Sequence, residues 1–179
     1  DLFWVEEPAR RWDYKGLRQV SEAVRTAVAT GENLSDVSQF ALLLREDAVD
    51  IVQANNGCSG ITGNLMVAEL AYAFDRPFAM GNSPGHFMAH VAAALPNHVM
   101  LELFGIDYAP YVTADTRVED GWVVLGDKPG LGLEFDPERL EAFKAKDRSG
   151  HSTHSLPARR RGAGLFEVGP GEPAWLDEE

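Results

Sequence analysis

The chain has 179 residues, 45% of them hydrophobic, which suits one domain with a sizeable core. Its 28 acidic against 16 basic residues give a net charge of −12 and argue against nucleic-acid binding, since a phosphate-binding face needs clustered Lys and Arg. A single cysteine, Cys58, excludes an internal disulfide; with no signal-peptide pattern and no apolar run near the ~20 residues of a spanning helix, a cytoplasmic, membrane-free location is expected.

Residues 2–6 read as a strand that ends in a carboxylate, Glu6, and breaks into a loop at Glu7-Pro8. Residues 13–25 read as an amphipathic helix with Leu17, Val20 and Val24 at helical spacing. Residues 27–30 repeat the first pattern, a short strand running into Gly31-Glu32-Asn33. Ser35 is the expected cap of a helix reaching about Arg45, with Val37, Phe40, Leu43 and Leu44 inward. Residues 48–53 read as a third strand, apolar on both faces except at Asp50, as buried parallel strands tend to be. Asp50 is expected to face a helix or solvent.

Residues 57–63 are glycine-rich and read as a turn before a helix that ends at Phe74 and carries Leu65, Ala68, Leu70 and Ala71. The stretch matches neither the P-loop nor the dinucleotide fingerprint, which leaves a plain turn or an anion cradle. Strands follow at 77–80 and 99–103, around a helix at 84–95. Residues 122–125 read as a hairpin strand, 129–132 as a turn, and about 137–145 as a helix. From 147 to 179 the sequence is rich in Gly, Pro, Ser and charge, and a flexible tail is expected there, with the run Arg159-Arg160-Arg161 solvated. The chain starts without Met and almost inside a strand, so an upstream portion is expected.

Alternation of strand and helix is the α/β signature. Glu6, Glu32, Asn55, Asn82 and Glu102 recur at strand ends every 20 to 27 residues. That is about the length of a strand, a loop, a helix and a return loop, and the carboxyl-terminal strand ends of a (β/α) barrel face one mouth. Residues 1–146 are thus expected to form one α/β unit whose strand ends share a mouth. A carboxylate closing a buried strand is costly unless it meets a cation or a donor, so Glu6 and Glu32 on successive units suggest a shared divalent metal.

The order WVEEP, GEN, SGITG, a helix ending in AALPN, LEL and PGLGLE closely resembles the catalytic barrel of the enolase superfamily, in its mandelate racemase subgroup. The resemblance covers about residues 2–143. It implies a modified (β/α) TIM-like barrel of which this chain holds the last five strands. It also implies one Mg²⁺ held by three carboxylates on successive strands, which stabilises the enolate formed when a proton next to a substrate carboxylate is removed. Glu6 and Glu32 match two of these ligands; the third, an Asp one strand earlier, would precede residue 1. The Lys-bearing strand that supplies one acid/base has no counterpart here.

The subgroup places an Asp and a His where this sequence reads Gln53-Ala54-Asn55-Asn56 and Met80-Gly81-Asn82-Ser83. An Asn amide takes no proton at neutral pH but can hydrogen-bond a substrate hydroxyl, so Asn55 (or Asn56) and Asn82 are candidate binding groups. The missing base is expected from an upstream Lys or from His86; otherwise catalysis is lost. His86 and His90 lie four apart on one helix, with His90 expected in the core or an interface. His98, His151 and His154 are expected at the surface. Glu102 matches a position that, when protonated, hydrogen-bonds the substrate carboxylate, a task suited to a buried Glu; a simple end-of-strand carboxylate is the equal alternative.

The resemblance implies a small carboxylate substrate, an acid sugar or a 2-hydroxy acid, and a homo-oligomer at full length. Dehydration needs one base and an acid for the leaving hydroxyl, whereas racemisation or epimerisation needs groups on both faces. The absent His-Asp pair therefore favours acid-sugar dehydration, with racemisation, or a noncatalytic ligand-binding homologue, as alternatives. Five strands alone would leave an open edge, and such a segment is expected to aggregate, dimerise or remain partly molten.

Overall fold

The computed structural model describes residues 1–83, 85–103 and 110–147; the side chains of 56–59, 82–87, 146 and 147 lie outside that description. The expected tail, with Arg159 to Arg161, His151 and His154, falls almost wholly outside it. Contacts divide the chain into two units, Asp1–Pro137 and Glu138–Glu179.

The first unit is built on five parallel strands in sequence order: β1 (Trp4–Glu6), β2 (Ala27–Thr30), β3 (Ile51–Asn55), β4 (Phe78–Ser83) and β5 (His98–Leu103). Each is followed or preceded by a crossover helix: α1 (Tyr14–Ala23), α2 (Val37–Arg45), α3 (Asn56–Ala73) and α4 (Gly85–Ala94). This is the α/β partial barrel that the alternation predicts.

Strand periodicity sorts the side chains onto two faces. Val52, Ala54, Phe78 and Met80 enter the main core, where they meet Leu17 of α1, Phe40, Leu43 and Leu44 of α2, Val67, Ala68 and Ala71 of α3, and Met88, Val91 and Ala92 of α4. Residues one position away, Ala29, Ile51 and Ala79, form a second, smaller cluster against Trp4 and Ala27. Small residues on that inner face leave room over the sheet.

Local chemistry explains the boundaries that differ from expectation. Asp36, not Ser35, caps α2: its side chain accepts from the Ser38 amide, while Gln39 reaches back to the Asp36 amide in a capping box. Those bonds from Ser38 hold the Asp36 carboxyl below the usual range. The third strand is Ile51–Asn55 rather than 48–53, because Asp50 Oδ2 is held at its entry by Ser21 Oγ (2.9 Å) and the Val28 amide (2.8 Å). The glycine-rich stretch is helical from Asn56 onward, broken only at Gly60 (φ 63°), so it is not a simple turn. Asn64, fully buried, donates to the Gly60 carbonyl at 2.7 Å across that break. Strand β4 runs three residues past the expected 77–80, to Ser83.

Beyond the sheet, β6 (Val112–Ala114), β7 (Arg117–Glu119), β8 (Trp122–Val124) and β9 (Leu133–Phe135) form two antiparallel pairs, β6 with β9 and β7 with β8. The β7–β8 hairpin turns through Asp120 and Gly121, both at positive φ (50° and 82°), as a two-residue turn matched to strand twist requires. Helix α5 (Pro137–Asp147) closes the described chain. Among the described residues, no helix is long and apolar enough to cross a membrane.

His98 is not a plain surface residue: it is half-buried, with Nε2 shielded from solvent and lacking a hydrogen-bond partner. Desolvation lowers its pKa below 6.5, partly opposed by a bond to the Met100 backbone. A depressed imidazole pKa means that the unfolded chain binds the proton first, so stability falls as pH drops below about 6.5. Urea unfolding between pH 7.5 and 5.5 will show that loss, and His98→Gln will flatten it. Phe40, fully buried between α2 and the sheet, sets the packing; Phe40→Ala will destabilise by about 3–5 kcal/mol in the same assay.

Candidate functional site at the strand ends

The carboxyl ends of the strands meet over a cleft of about 220 Å³ lined by Trp4, Glu6, Gln53, Ala79, Met80, Met100 and Glu102. Glu6 comes from β1 and Glu102 from β5, the two edge strands. Four inter-strand steps of about 4.8 Å would hold those edges roughly 19 Å apart in a flat sheet. Their sharing one small cleft shows that the sheet is curled, with the inner face concave.

Glu6 closes β1 on this face and its Oε2 accepts from Trp4 Nε1 at 3.3 Å. The next residue, Glu7, points elsewhere and sits at φ 44°, in the left-handed region. Its amide donates to the Ala29 carbonyl at 3.0 Å, so the loop after β1 stays tied to β2 for one step beyond the strand. The chain then turns away.

Glu32 follows β2 by way of Gly31, whose φ is 125° and whose missing side chain leaves space for the Gln53 carbonyl and the Phe40 ring. No other residue fits there without moving strand β3 or the core. The Glu32 carboxylate reaches across to β4, where Oε2 would lie 2.6 Å from a Cβ placed on Gly81. Gly81 is thus a cradle for Glu32, because any side chain at that position would displace the carboxylate. On its other side, Glu32 Oε1 lies 3.5 Å from Asn33 Nδ2.

The remaining predicted positions divide. Glu102 lies on the cleft and is exposed, so of its two readings the buried carboxyl is not the one observed. Asn55 closes β3, half-buried, and its carbonyl lies 3.5 Å from Asn64 Nδ2. Asn82 falls in β4 and His86 in α4, and their side chains, like those of Asn56 and Cys58, lie outside the described ones. His90 is half-buried in α4. Five polar groups in one mouth was the expectation; the described cleft contains Glu6 and Glu102 of them, with Glu32 over Gly81.

Sequence reasoning missed Gln53, which lines the cleft, is only 2% exposed, and has no partner for its Oε1. The signal was present: Gln53 lies two residues before Asn55, on the same face of the strand. It also missed Gly81, which no periodicity distinguishes from a turn glycine.

Among the described residues, no three His, Cys, Asp or Glu side chains gather closely enough to hold a metal. The chain offers two oxygen donors on adjacent strand ends, Glu6 and Glu32, the second seated in the Gly81 cradle. Carboxylate oxygens on rigid strand ends suit Mg²⁺, which binds one or two carboxylates and keeps water or substrate in its other positions. The donor set fits a partial magnesium site.

Residues 1–139 match the family model described as Enolase C-terminal domain-like. The D-xylonate dehydratase of Haloferax volcanii is 32% identical over 150 residues, covering 79% of this chain and 36% of that protein. An enolase from Bradyrhizobium crystallised with magnesium and mandelic acid is 31% identical with a TM-score of 0.68, over 79% of this chain and 39% of that one. The L-talarate dehydratase of a Polaromonas species, crystallised with Mg and L-glucarate, is 27% identical with a TM-score of 0.68, over 78% and 39% of the two chains. The chain therefore spans less than half the length of these relatives. Its parallel strand ladder, its strand-end carboxylates and its match over residues 1–139 place it in the enolase superfamily, within the mandelate racemase and muconate lactonizing enzyme group.

Proposed function

We propose that this chain carries part of the active site of a Mg²⁺-dependent enzyme that removes the proton α to a carboxylate, and that the reaction is dehydration of an acid sugar. The observation that carries the reading is the pair Glu6 and Glu32: two carboxylates at adjacent strand ends, one on the cleft, the other cradled by Gly81. The dehydratases among the relatives support the choice of reaction.

When bound, Mg²⁺ supplies the Lewis acid that offsets the negative charge left as the α proton departs. Glu6 and Glu32 would hold it. Asn55 and Asn82, whose amides accept and donate hydrogen bonds but take no proton, orient substrate hydroxyls at the ends of β3 and β4. Glu102, across the cleft from Glu6, hydrogen-bonds the substrate, and the apolar walls of Trp4, Ala79 and Met100 limit the access of water to the reacting carbon. The proton goes to a Lys of a preceding strand, or to His86 at the start of α4, and is returned to the departing hydroxyl, which leaves as water.

Replacement of the subgroup's Asp and His by Asn55 and Asn82 supports a second reading, a homologue that binds acid sugars without turning them over. A screen of aldonic and aldaric acids with MgCl₂ separates the two. Loss of water with EDTA-sensitive turnover upholds the enzyme, and binding without turnover upholds the second reading. Glu32→Gln will lower turnover by about 100-fold or more, while His86→Asn will abolish it only if His86 takes the proton. Gly81→Ala, which pushes the Glu32 carboxylate aside, will weaken Mg²⁺ binding by about 10-fold or more in a calorimetric titration.

A further inference from the structure

We infer that Asn33 and Glu7 are positioning residues that clamp the loop after β1 to the loop after β2 and thereby hold Glu6 and Glu32 to one cation. The inference rests on the magnesium reading above. Asn33 Nδ2 lies 2.9 Å from both carboxylate oxygens of Glu7 and 3.5 Å from Glu32 Oε1. One amide nitrogen has two N–H bonds, enough to face both acids at once. Arg11 Nη1 donates to the Asn33 carbonyl at 3.2 Å and holds the backbone of the clamp from the side of α1.

The arrangement has an electrostatic logic. Glu7 and Glu32 are two carboxylates meeting one neutral donor, and without it their negative charges would push the loops apart. The Asn33 amide offsets that repulsion, with its short bonds to Glu7 and a longer contact of 3.5 Å to one oxygen of Glu32, whose other oxygen lies over Gly81. The carboxylate is fixed from both sides. Glu7, bonded to Asn33 by its side chain and to Ala29 by its amide, in turn fixes the preceding residue, Glu6. Ligand orientation set from outside the coordination sphere commonly changes metal affinity by about 10- to 100-fold.

Calorimetric titration of the purified protein with MgCl₂ alone, with no substrate, tests this. Asn33→Leu, close in volume and without a donor, will weaken Mg²⁺ affinity by about 10- to 100-fold, and Glu7→Leu will do the same. Glu7→Gln keeps an acceptor oxygen for Asn33 and will stay within about 3-fold of the parent, since the clamp needs an acceptor and not a charge. In EDTA the melting temperatures of all three will lie within about 4 °C of the parent, as the loss of one exposed hydrogen bond allows. Equal loss in Glu7→Gln and Glu7→Leu would show that Glu7 acts by charge and would overturn the clamp. So would Asn33→Leu binding like the parent. A parent protein that takes up no Mg²⁺ would instead overturn the magnesium reading on which the clamp depends.

Discussion

The constraint on which the rest depends is the alternation of side chains along five parallel strands laid down in sequence order. Because each strand can face the helices on only one side, Val52, Ala54, Phe78 and Met80 go to the main core, and the positions between them must go to the concave face. On that face the early positions are small or apolar, Ala29, Ile51 and Ala79, and the late ones are polar, Glu6, Gln53 and Glu102. Polarity thus rises towards one end of the sheet. A cleft with carboxylates at its rim and apolar walls follows from that gradient.

Gly31 and Gly81 make the gradient usable. Both occupy places where a side chain would collide with something needed, at Gly31 the Gln53 carbonyl and the Phe40 ring, at Gly81 the Glu32 carboxylate. Glu32 therefore reaches across to the neighbourhood of β4 with its two oxygens in different surroundings. Glu6 is the last residue of its strand and Glu32 lies two residues past the end of its own, and hydrogen bonds tie the loops that follow. Their geometry is accordingly a matter of a few named contacts.

Much of this was legible in the sequence. The alternation of elements, the inward set Phe40, Leu43 and Leu44, and the strand-end carboxylates Glu6 and Glu32 can all be read from period and punctuation, and the ordered motifs point to the family. Strand ends were less legible: β3 begins at Ile51 because Asp50 is bonded to Ser21 and Val28, a tertiary contact that no local pattern encodes. His98 looked like a surface residue because its shielding comes from the fold. The pairing of β6 with β9 joins segments about twenty residues apart through weak, partly exposed strands, so it left little trace. The hairpin between them is half visible: residues 122–125 read as a strand, and the turn at Asp120-Gly121 becomes plain only from the pairing of β7 with β8.

The ladder also has a consequence for how the chain finds its fold. Every pairing in the large sheet joins residues only 20 to 26 positions apart, as Trp4 with Ala27 and Phe78 with His98 show. No strand waits for a partner from the far end of the polypeptide, so each closure involves a loop of similar, modest length. Such a topology has the intermediate contact order of mixed α/β domains, with every strand pairing of the large sheet closed across one intervening helix.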